Sequence, residues 1–355
     1  MPRVLLLFGG RSSEHEISCL SARSVLAVID RDRYEVVPVG ITRDGRWTLT
    51  DGPIDDPAGG PLPVVSEDGP TVALVGTREG PRLLQVDEAN GFETTGLGPV
   101  DAAFPLLHGP WGEDGTVQGL LASVGVPYVG ADVTASSIGI DKAAMKATFA
   151  ARGLPQGGYL AVHRSRWNAD ADNVCEELVS RLPAPWFTKP ARQGSSIGIR
   201  KVALIDDLPE AMHEAYTHDD VVVIEQGIER GREIEVGVLG DEHIEVTCAG
   251  EVLPSGEFYD FEAKYLGDSD LVIPADIPAS VAERIDVLAR RAYRAIGCRG
   301  LARIDFFVRP DGEVLINEIN TIPGFTPSSM FPRLWAAEGV DYPELVARLL
   351  AGARL

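Results

Sequence analysis

The chain opens with a strand, a helix and a second strand, and this βαβ pattern constrains the fold more than any other feature. The apolar run Val4 to Phe8 predicts a buried strand, and Gly9-Gly10 predicts the turn after it. Apolar residues then recur at helical spacing from Ile17 to Val28, and a second strand is predicted from Tyr34 to Ile41. Two strands joined by a helix lie parallel in one sheet, so we expect an α/β fold that opens on a parallel sheet.

A second pattern, over residues 303–320, predicts an antiparallel hairpin. Two alternating segments flank Asp311-Gly312, a dipeptide typical of two-residue hairpin turns. A turn at this point fixes which residues face each other across the two strands. The predicted pairs on the polar face are Asp305–Glu318 and Arg303–Asn320, and those on the apolar face are Ile304–Ile319 and Val308–Leu315.

The polar face of this hairpin indicates a metal site. Carboxylates directly opposite each other, such as Asp305 and Glu318, repel unless a cation lies between them. Oxygen ligands from Asp, Glu and Asn, without His or Cys, suit Mg²⁺ that completes its shell with substrate phosphates. Two alternatives stay open at this point: a polar face that simply points into water, and a register displaced by one residue.

Length and composition limit the possible partners. A chain of 355 residues is long enough for two or three domains, and its formal net charge of −21 repels a phosphate backbone, so we expect no nucleic-acid partner. The four cysteines form no Cys-x-x-Cys pair, which argues against a disulfide scaffold or structural zinc and favours the cytoplasm. No apolar run reaches the roughly 20 residues of a membrane span, so we expect no membrane partner. Residues 51–100 are rich in Gly, Pro and Asp and predict an irregular insertion with a short hairpin.

Lysine is rare in this sequence. Only five of the 32 Lys and Arg residues are lysines, namely Lys142, Lys146, Lys189, Lys201 and Lys264. Because arginine serves as the general positive charge, a retained lysine is a candidate for a position that needs a compact ammonium group. An acidic protein that binds an anionic substrate needs such local positive charge.

Five further segments are candidates for a site, although each also has an ordinary structural explanation. The small-residue loop in Lys189–Ser196 could let backbone N–H groups approach phosphate, or could be a plain turn. Gly9–Glu16 places a carboxylate where a helix begins, which is stabilising in any protein. Tyr259–Tyr265 could be a lid or a surface loop. His108–Gly115 and Pro323–Met330 are Gly-containing loops that follow predicted strands.

Together these motifs resemble the D-alanine–D-alanine ligase family of the ATP-grasp superfamily. The motifs that carry the resemblance, in chain order, are Gly-Gly-Arg-Ser-Ser-Glu-His-Glu, His-Gly-x-x-Gly-Glu-Asp-Gly, Lys-Pro-x-x-x-Gly-Ser-Ser, Glu-Ala-Lys-Tyr, Arg-Ile-Asp and Asn-Glu-Ile-Asn-Thr-x-Pro-Gly. The resemblance implies an ATP-grasp fold of three α/β domains, the first a parallel-sheet domain that binds substrate. We expect these domains at residues 1–132, 133–240 and 241–355, with the metal site and a lid loop in the last.

The resemblance also implies the cofactors and the residues that bind them. Those for ATP are Lys142, Lys189, Ser196, Glu225, Gln226, Ile228, Glu233 and Lys264. Those for two Mg²⁺ ions, which Mn²⁺ could replace, are Asp305, Glu318 and Asn320.

For the substrates, the resemblance implies two D-alanine molecules joined through a D-alanyl phosphate, for peptidoglycan precursor synthesis. The implied catalytic residues are Glu14, Ser195, Tyr265, Arg303 and Gly324. The implied substrate-binding residues are His108, Ser329 and Met330. We further expect a homodimer, in which residues 51–100 either serve the interface or have no such role.

Three other functions remain as alternatives. A D-alanine–D-lactate ligase resembles this chain except at the Glu-Ala-Lys-Tyr segment, so Tyr265 favours the dipeptide product. Another ATP-grasp carboxylate–amine ligase is a broader alternative. A nucleotide-binding module without turnover is the third, and the intact set of Arg303, Asp305, Glu318 and Asn320 argues against it.

Overall fold

A computed structural model describes residues 1–57, 59–60, 62–253 and 270–355, which form four β-sheets with flanking helices. The strands are β1 (Arg3–Gly9), β2 (Glu35–Ile41), β3 (Trp47–Leu49), β4 (Val72–Thr77), β5 (Gly80–Asp87), β6 (Glu93–Pro99), β7 (Ala102–Pro105), β8 (Tyr159–His163), β9 (Trp186–Pro190), β10 (Arg200–Val202), β11 (Val221–Gln226), β12 (Arg232–Gly240), β13 (Ile244–Val246), β14 (Gly250–Leu253), β15 (Asp270–Val272), β16 (Gly300–Val308) and β17 (Val314–Asn320). The helices are α1 (His15–Val28), α2 (Thr116–Val124), α3 (Val133–Ile140), α4 (Lys142–Ala151), α5 (Arg164–Ala169), α6 (Ala171–Arg181), α7 (Leu208–Ala215), α8 (Ala279–Ala295), α9 (Met330–Ala337) and α10 (Tyr342–Ala351), with a 3₁₀ turn at Ile205–Asp207.

The N-terminal sheet has the strand order β3-β2-β1-β7, and β1 runs parallel to both β2 and β7. Successive side chains of β1 point to opposite faces. Val4, Leu6 and Phe8 therefore pack into one core with helix α1, whereas Leu5 and Leu7 pack into another with α2. A strand that is buried on both faces needs a continuous apolar run, and the βαβ opening predicted from that run is confirmed.

Residues 72–99 form a separate antiparallel sheet with the strand order β4-β5-β6. The prediction of an irregular insertion with one short hairpin was therefore wrong, because these residues form a three-stranded sheet. Strand β6 is exposed over most of its length and has no apolar alternation that a sequence pattern could reveal. It is held by backbone pairing with β5, across a register shift between Leu83 and Leu84.

The central sheet is antiparallel, with the order β10-β9-β11-β8. Its core side packs against helices α6 and α7, and Trp186 of β9 belongs to that core. Alternation along β9 turns Phe187 and Lys189 to the other face, where they line a cavity. The sheet thus presents one apolar face to its helices and one functional face to the rest of the molecule.

The largest sheet has the order β15-β14-β12-β16-β17, with β13 also paired to β12. Strands β12, β16 and β17 bury apolar residues against helices α4 and α8. The predicted boundary after residue 240 assigns β12 to the central domain, yet β12 hydrogen-bonds to β14 and β16 in this sheet. The chain therefore leaves the central sheet between β11 and β12.

The hairpin β16–β17 forms as predicted near the site and departs from the prediction near its turn. Asp305 pairs with Glu318, Arg303 with Asn320, and Ile304 with Ile319. The predicted pair Val308–Leu315 was wrong, because a register shift after Asp305 pairs Val308 with Val314 instead. Phe306 pairs with Ile316, so Asn317 is the extra residue of a β-bulge.

The last two helices connect the C-terminal part of the chain to the N-terminal sheet. Phe331 and Trp335 of α9 and Leu345 and Leu349 of α10 pack into the core that contains Phe8. This packing fixes the loop before α9 next to the loops that follow β1 and β7. Among the described helices, none is long and apolar enough to cross a membrane.

Candidate active site

A cavity of about 710 Å³ lies between the functional face of the central sheet, the face of β12, β16 and β17, and the N-terminal loops. Every predicted site residue in the described ranges lines it. They are Glu14, His108, Lys142, Lys189, Ser195, Ser196, Glu225, Gln226, Ile228, Glu233, Arg303, Asp305, Glu318, Asn320, Gly324, Ser329 and Met330. The remaining two, Lys264 and Tyr265, lie outside the described residues.

One wall of the cavity carries a row of three carboxylates. Strand register aligns Glu235 of β12 with Asp305 of β16, and Asp305 with Glu318 of β17. Arg303 donates two hydrogen bonds to Asp305, at 2.7 and 2.8 Å, and its Nε lies 3.0 Å from Glu235. Burial would lower the pKa of Arg303, but the charges of Asp305 and Glu235 outweigh it and hold that pKa well above its usual value. Arg303 is therefore a fixed cation beside the carboxylates.

The oxygen atoms on this wall fit a hard divalent cation. Asn320 lies one pair further along the same face as Glu318, and its Nδ2 donates to Asp305 at 3.0 Å. No cluster of three or more His, Cys, Asp or Glu side chains in the described ranges could hold a metal by itself. Mg²⁺ commonly takes one or two carboxylates and completes its shell with water and substrate phosphates, so Asp305, Glu318 and Asn320 suffice for it.

The opposite wall carries the lysines. Lys142, in the first turn of α4, donates from Nζ to the carbonyl oxygen of Gln193 at 2.6 Å. Lys189 Nζ lies 3.1 Å from one oxygen of Glu225. Burial would lower the pKa of Lys189, but the carboxylates of Glu225 and Glu318 outweigh it and raise that pKa. The ammonium group of Lys189 is thus charged and held near the carboxylate wall.

The loop 192–196 joins the central sheet to the N-terminal part of the chain. Its first residue, Arg192, is fixed by a two-pronged ion pair with Asp219, at 2.5 and 2.9 Å. Ser195 and Ser196 both have positive φ angles, of 48° and 60°, and Ser195 Oγ donates to Glu14. A Cβ added to Gly194 would lie 2.8 Å from Glu14, so the loop approaches that carboxylate closely. Glu14 and Ser195, both predicted as catalytic residues, are therefore hydrogen-bonded to each other.

His108 and Glu113 connect the loop after β7 to the loop after β17. His108 Nδ1 donates to the carbonyl oxygen of Ile322 at 3.0 Å, and its Nε2 accepts from Ser21 at 3.1 Å. Burial lowers the pKa of His108, although the Glu14 charge opposes it, so the ring is neutral with its proton on Nδ1. Glu113 accepts from the N–H groups of Gly109 and Ile322, at 2.6 and 3.3 Å. Burial, reinforced by the Glu14 charge, raises the pKa of Glu113 to about 8.

The floor near Ser329 is the N-terminus of helix α9. Ser329 occupies the residue before the helix, and its Oγ interacts with Thr326 Oγ1 at 2.8 Å. The N–H groups of the first helical turn have no partner within a helix, and they attract anions. Gly324 and Met330 line the cavity on either side of Ser329.

Two protein-family models match the chain. The model described as D-ala D-ala ligase N-terminus covers residues 3–131, and D-ala D-ala ligase C-terminus covers residues 148–351. A D-alanine–D-alanine ligase of Streptomyces coelicolor is 47% identical, over 99% of this chain and 93% of its own length. The chain belongs to the D-alanine–D-alanine ligase family. A second member, from Paenarthrobacter aurescens, is also 47% identical, over 98% of this chain and 94% of its own length.

Solved structures of this ligase family agree with the fold described above. The VanG D-Ala:D-Ser ligase from Enterococcus faecalis matches with a TM-score of 0.83 and 32% identity, over 99% of this chain and 98% of that structure. The D-alanine–D-alanine ligase from Coxiella burnetii matches with a TM-score of 0.80 and 31% identity, over 99% and 95%. The predicted α/β ATP-grasp fold and the predicted family are confirmed.

Three charged residues at or behind this ligase site were not predicted from the sequence. Glu235 lies two residues after Glu233 on the same strand, so period-two alternation could have placed both on one face. Lys146 belongs to the small lysine set and lies one helical turn from Lys142. Glu113 lies within the His108–Gly115 motif, but only the folded chain shows that its carboxylate reaches Ile322.

Proposed function

We propose that this chain joins two D-alanine molecules into D-alanyl-D-alanine, with ATP and Mg²⁺, in the cavity described above. The product serves peptidoglycan precursor synthesis. The observation that supports this most is that one cavity brings together the carboxylate row of β12, β16 and β17, the lysines of the facing wall and the Glu14–Ser195 pair. Phosphoryl transfer needs this combination of metal ligands, cations and a positioned nucleophile.

ATP binds along the lysine wall. Lys142 and Lys189 hold its phosphates, and the loop 192–196 covers them with Ser196 and the backbone N–H groups. Glu225, Gln226 and Ile228, at the end of β11, contact the adenine, and Glu233 of β12 binds the ribose hydroxyls. The family resemblance assigns Lys264 to the γ-phosphate.

Asp305, Glu318 and Asn320 hold the magnesium ions. When bound, these ions neutralise charge that develops on the transferred phosphoryl group. Arg303, which is held by Asp305 and Glu235, lines the cavity as a positively charged group. Mn²⁺ has the same preference for oxygen ligands and should substitute.

The first D-alanine is positioned by the N-terminal loops. Glu14 accepts its ammonium group, while Ser195 and Tyr265 hold Glu14 in place. Neutral His108 lies beside it. A carboxylate oxygen of this D-alanine attacks the γ-phosphorus of ATP, and ADP leaves, which gives D-alanyl phosphate.

The second D-alanine binds at the N-terminus of α9. The Ser329 hydroxyl and the N–H of Met330 donate hydrogen bonds to its carboxylate, which the helix dipole also favours. Its deprotonated amine attacks the acyl carbon, and Arg303 with the Gly324 N–H stabilises the oxyanion. Phosphate then leaves with the proton that the amine gives up, and the peptide bond forms. We expect the chain to act as a homodimer in the cytoplasm, where ATP is available.

The test is a product assay on the purified chain. Protein, ATP, Mg²⁺ and D-alanine should yield ADP, phosphate and D-alanyl-D-alanine, whereas L-alanine should yield none. D-Lactate and D-serine, each added with D-alanine, test the selection of the second substrate. Release of phosphate without dipeptide, or a depsipeptide as the main product, would contradict the proposal.

A further inference from the structure

Lys146 is a buried lysine that the proposed reaction leaves without a role. Only 1% of its surface is exposed, and it lies behind the cavity wall on helix α4, one turn after Lys142. Its Nζ lies 3.3 Å from Oε1 of Glu225, and 5.6 Å from the ring centre of Tyr159. A fully buried ammonium group is costly, so a lysine at this position needs a compensating interaction.

Glu225 lies between two lysines. Oε1 of Glu225 faces Lys146 at 3.3 Å, and Oε2 faces Lys189 at 3.1 Å. Burial would raise the pKa of Glu225, but Lys146 and Lys189 outweigh it and lower that pKa, so the carboxylate is ionised. One buried carboxylate is therefore shared by two lysines, of which only Lys189 lines the cavity. Burial lowers the pKa of Lys146, and the charge of Glu225 opposes that effect.

This arrangement creates a conflict for Lys189. To hold a nucleotide phosphate, its ammonium must give up part of its interaction with Glu225. If Glu225 had no second cation, that exchange would leave a buried carboxylate without a counter-ion, which is strongly unfavourable.

We propose that Lys146 is a positioning residue that keeps the Glu225 carboxylate compensated when Lys189 turns to the nucleotide phosphates. The inference rests on the proposed function, because it takes Lys189 as a phosphate ligand. Lys146 does not touch the nucleotide. It lowers the free-energy cost of moving Lys189 between Glu225 and phosphate, and so strengthens ATP binding without contacting D-alanine.

A double-mutant cycle on the full chain tests this role, with binding of Mg²⁺-ATP measured by calorimetry in the absence of D-alanine. Lys146→Met keeps the length of the side chain and removes its charge. We expect it to weaken Mg²⁺-ATP binding by about tenfold or more in the natural background, and by less than about twofold in the Glu225→Gln background. The KM for D-alanine should change little. Lys201→Met, at an exposed lysine on β10, is the matched control and should bind as the unaltered chain does.

The outcomes separate this inference from the proposed function. An unaltered chain that fails to bind Mg²⁺-ATP would contradict the proposed function. If the unaltered chain binds, an equal loss in both backgrounds, or no loss in either, would contradict the role of Lys146, because a purely structural lysine predicts the same effect with and without the Glu225 charge.

Folding of each variant is checked by thermal unfolding. If the single variant Lys146→Met does not fold, Mg²⁺-ATP binding by the double variant Lys146→Met/Glu225→Gln is used instead to test the role of Lys146. Binding close to that of Glu225→Gln alone supports the inference. Failure of both to fold counts against it, since Lys146 would then be needed whatever the charge of residue 225.

Discussion

At the residue scale, the charged side chains of the cavity are arranged in interlocking pairs. Arg303 bridges Asp305 and Glu235, and Glu225 bridges Lys146 and Lys189. In a buried site, removing one member leaves its partner without compensation, which costs more than the pair itself contributes. Substitutions here should therefore act through the residue left behind as well as through the one removed.

Glu318→Ala tests the metal site. The substitution removes one of two carboxylates that face each other across the hairpin, and we expect turnover to fall by at least about a thousandfold, because charge on the phosphoryl group is then poorly neutralised. Formation of ADP and of dipeptide is measured. Glu313→Ala, at a partly exposed ion pair with Arg309 near the turn of the same hairpin, is the control and should keep its activity. Activity retained by Glu318→Ala would refute the metal assignment.

Glu113 provides a prediction about pH. The pKa of Glu113 is about 8 in the folded chain, whereas the ordinary pKa of a glutamate is 4.5. Between these two pH values the folded protein therefore keeps a proton on Glu113 that the unfolded chain has lost. Raising pH through this window therefore lowers the free energy of unfolding. Glu113→Gln does not titrate, and its free energy of unfolding should rise relative to that of the natural chain from about pH 5 to about pH 8. Denaturant unfolding at both pH values measures this, and a constant difference would contradict it.

The place of a residue in the site could be predicted where the residue belongs to a motif. It could not be predicted where only the packing of the folded chain brings the residue to the site. Glu14, Ser195 and Asp305 belong to recognisable motifs, and each lines the cavity. Glu235 and Lys146 lie in an ordinary strand and an ordinary helix, outside the recognised motifs. Their importance depends on neighbours that are distant in sequence, Arg303 and Glu225, and no local pattern records those contacts.

At the element scale, the loop 192–196 depends on its anchor at Asp219. Both carboxylate oxygens of Asp219 accept from Arg192, and one of them also accepts the N–H of Val221. Asp219→Asn weakens this anchor, so the loop loses its fixed position over the proposed phosphate site. We expect the KM for ATP to rise by about three- to tenfold while kcat falls less.

Asp220→Asn is the control for this loop prediction. Asp220 is the next residue and pairs with Arg164, but its side chain is exposed, and exposed pairs contribute little. The two variants are compared by steady-state kinetics at saturating D-alanine. Equal KM values for ATP in both would show that the Asp219 anchor does not position the loop.

The hairpin β16–β17 shows how far sequence patterns reach for an element. The Asp311-Gly312 turn and strict alternation gave the correct pairs from Arg303 to Asp305. The pairs nearer the turn were displaced because Asn317 forms a bulge, and a bulge leaves alternation intact on each side of the extra residue. The third strand of the 72–99 sheet was missed for a related reason, since an exposed strand has no apolar period.

At the scale of the whole molecule, the cavity is formed by three parts of the chain: the N-terminal loops, the central sheet and the largest sheet. Ser195 bonds to Glu14, and His108 bonds to the backbone of Ile322. These contacts link residues that are far apart in sequence, and they hold the N-terminal loops against the loops that follow β9 and β17.

Ser195→Ala tests this connection. It removes the hydroxyl that orients Glu14, so we expect the KM for D-alanine at the first position to rise by about tenfold, with a smaller change in the KM for ATP. Ser180→Ala, at an exposed serine of helix α6, is the control. An unchanged KM for D-alanine would show that Glu14 is held without Ser195.

The most direct test of the whole account is a crystal structure with Mn²⁺ and ADP, in which anomalous scattering locates the metal. We predict manganese peaks in contact with Asp305, Glu318 and Asn320, with the diphosphate between them and the wall that carries Lys142 and Lys189. Manganese bound elsewhere, or a nucleotide bound away from these lysines, would contradict the account.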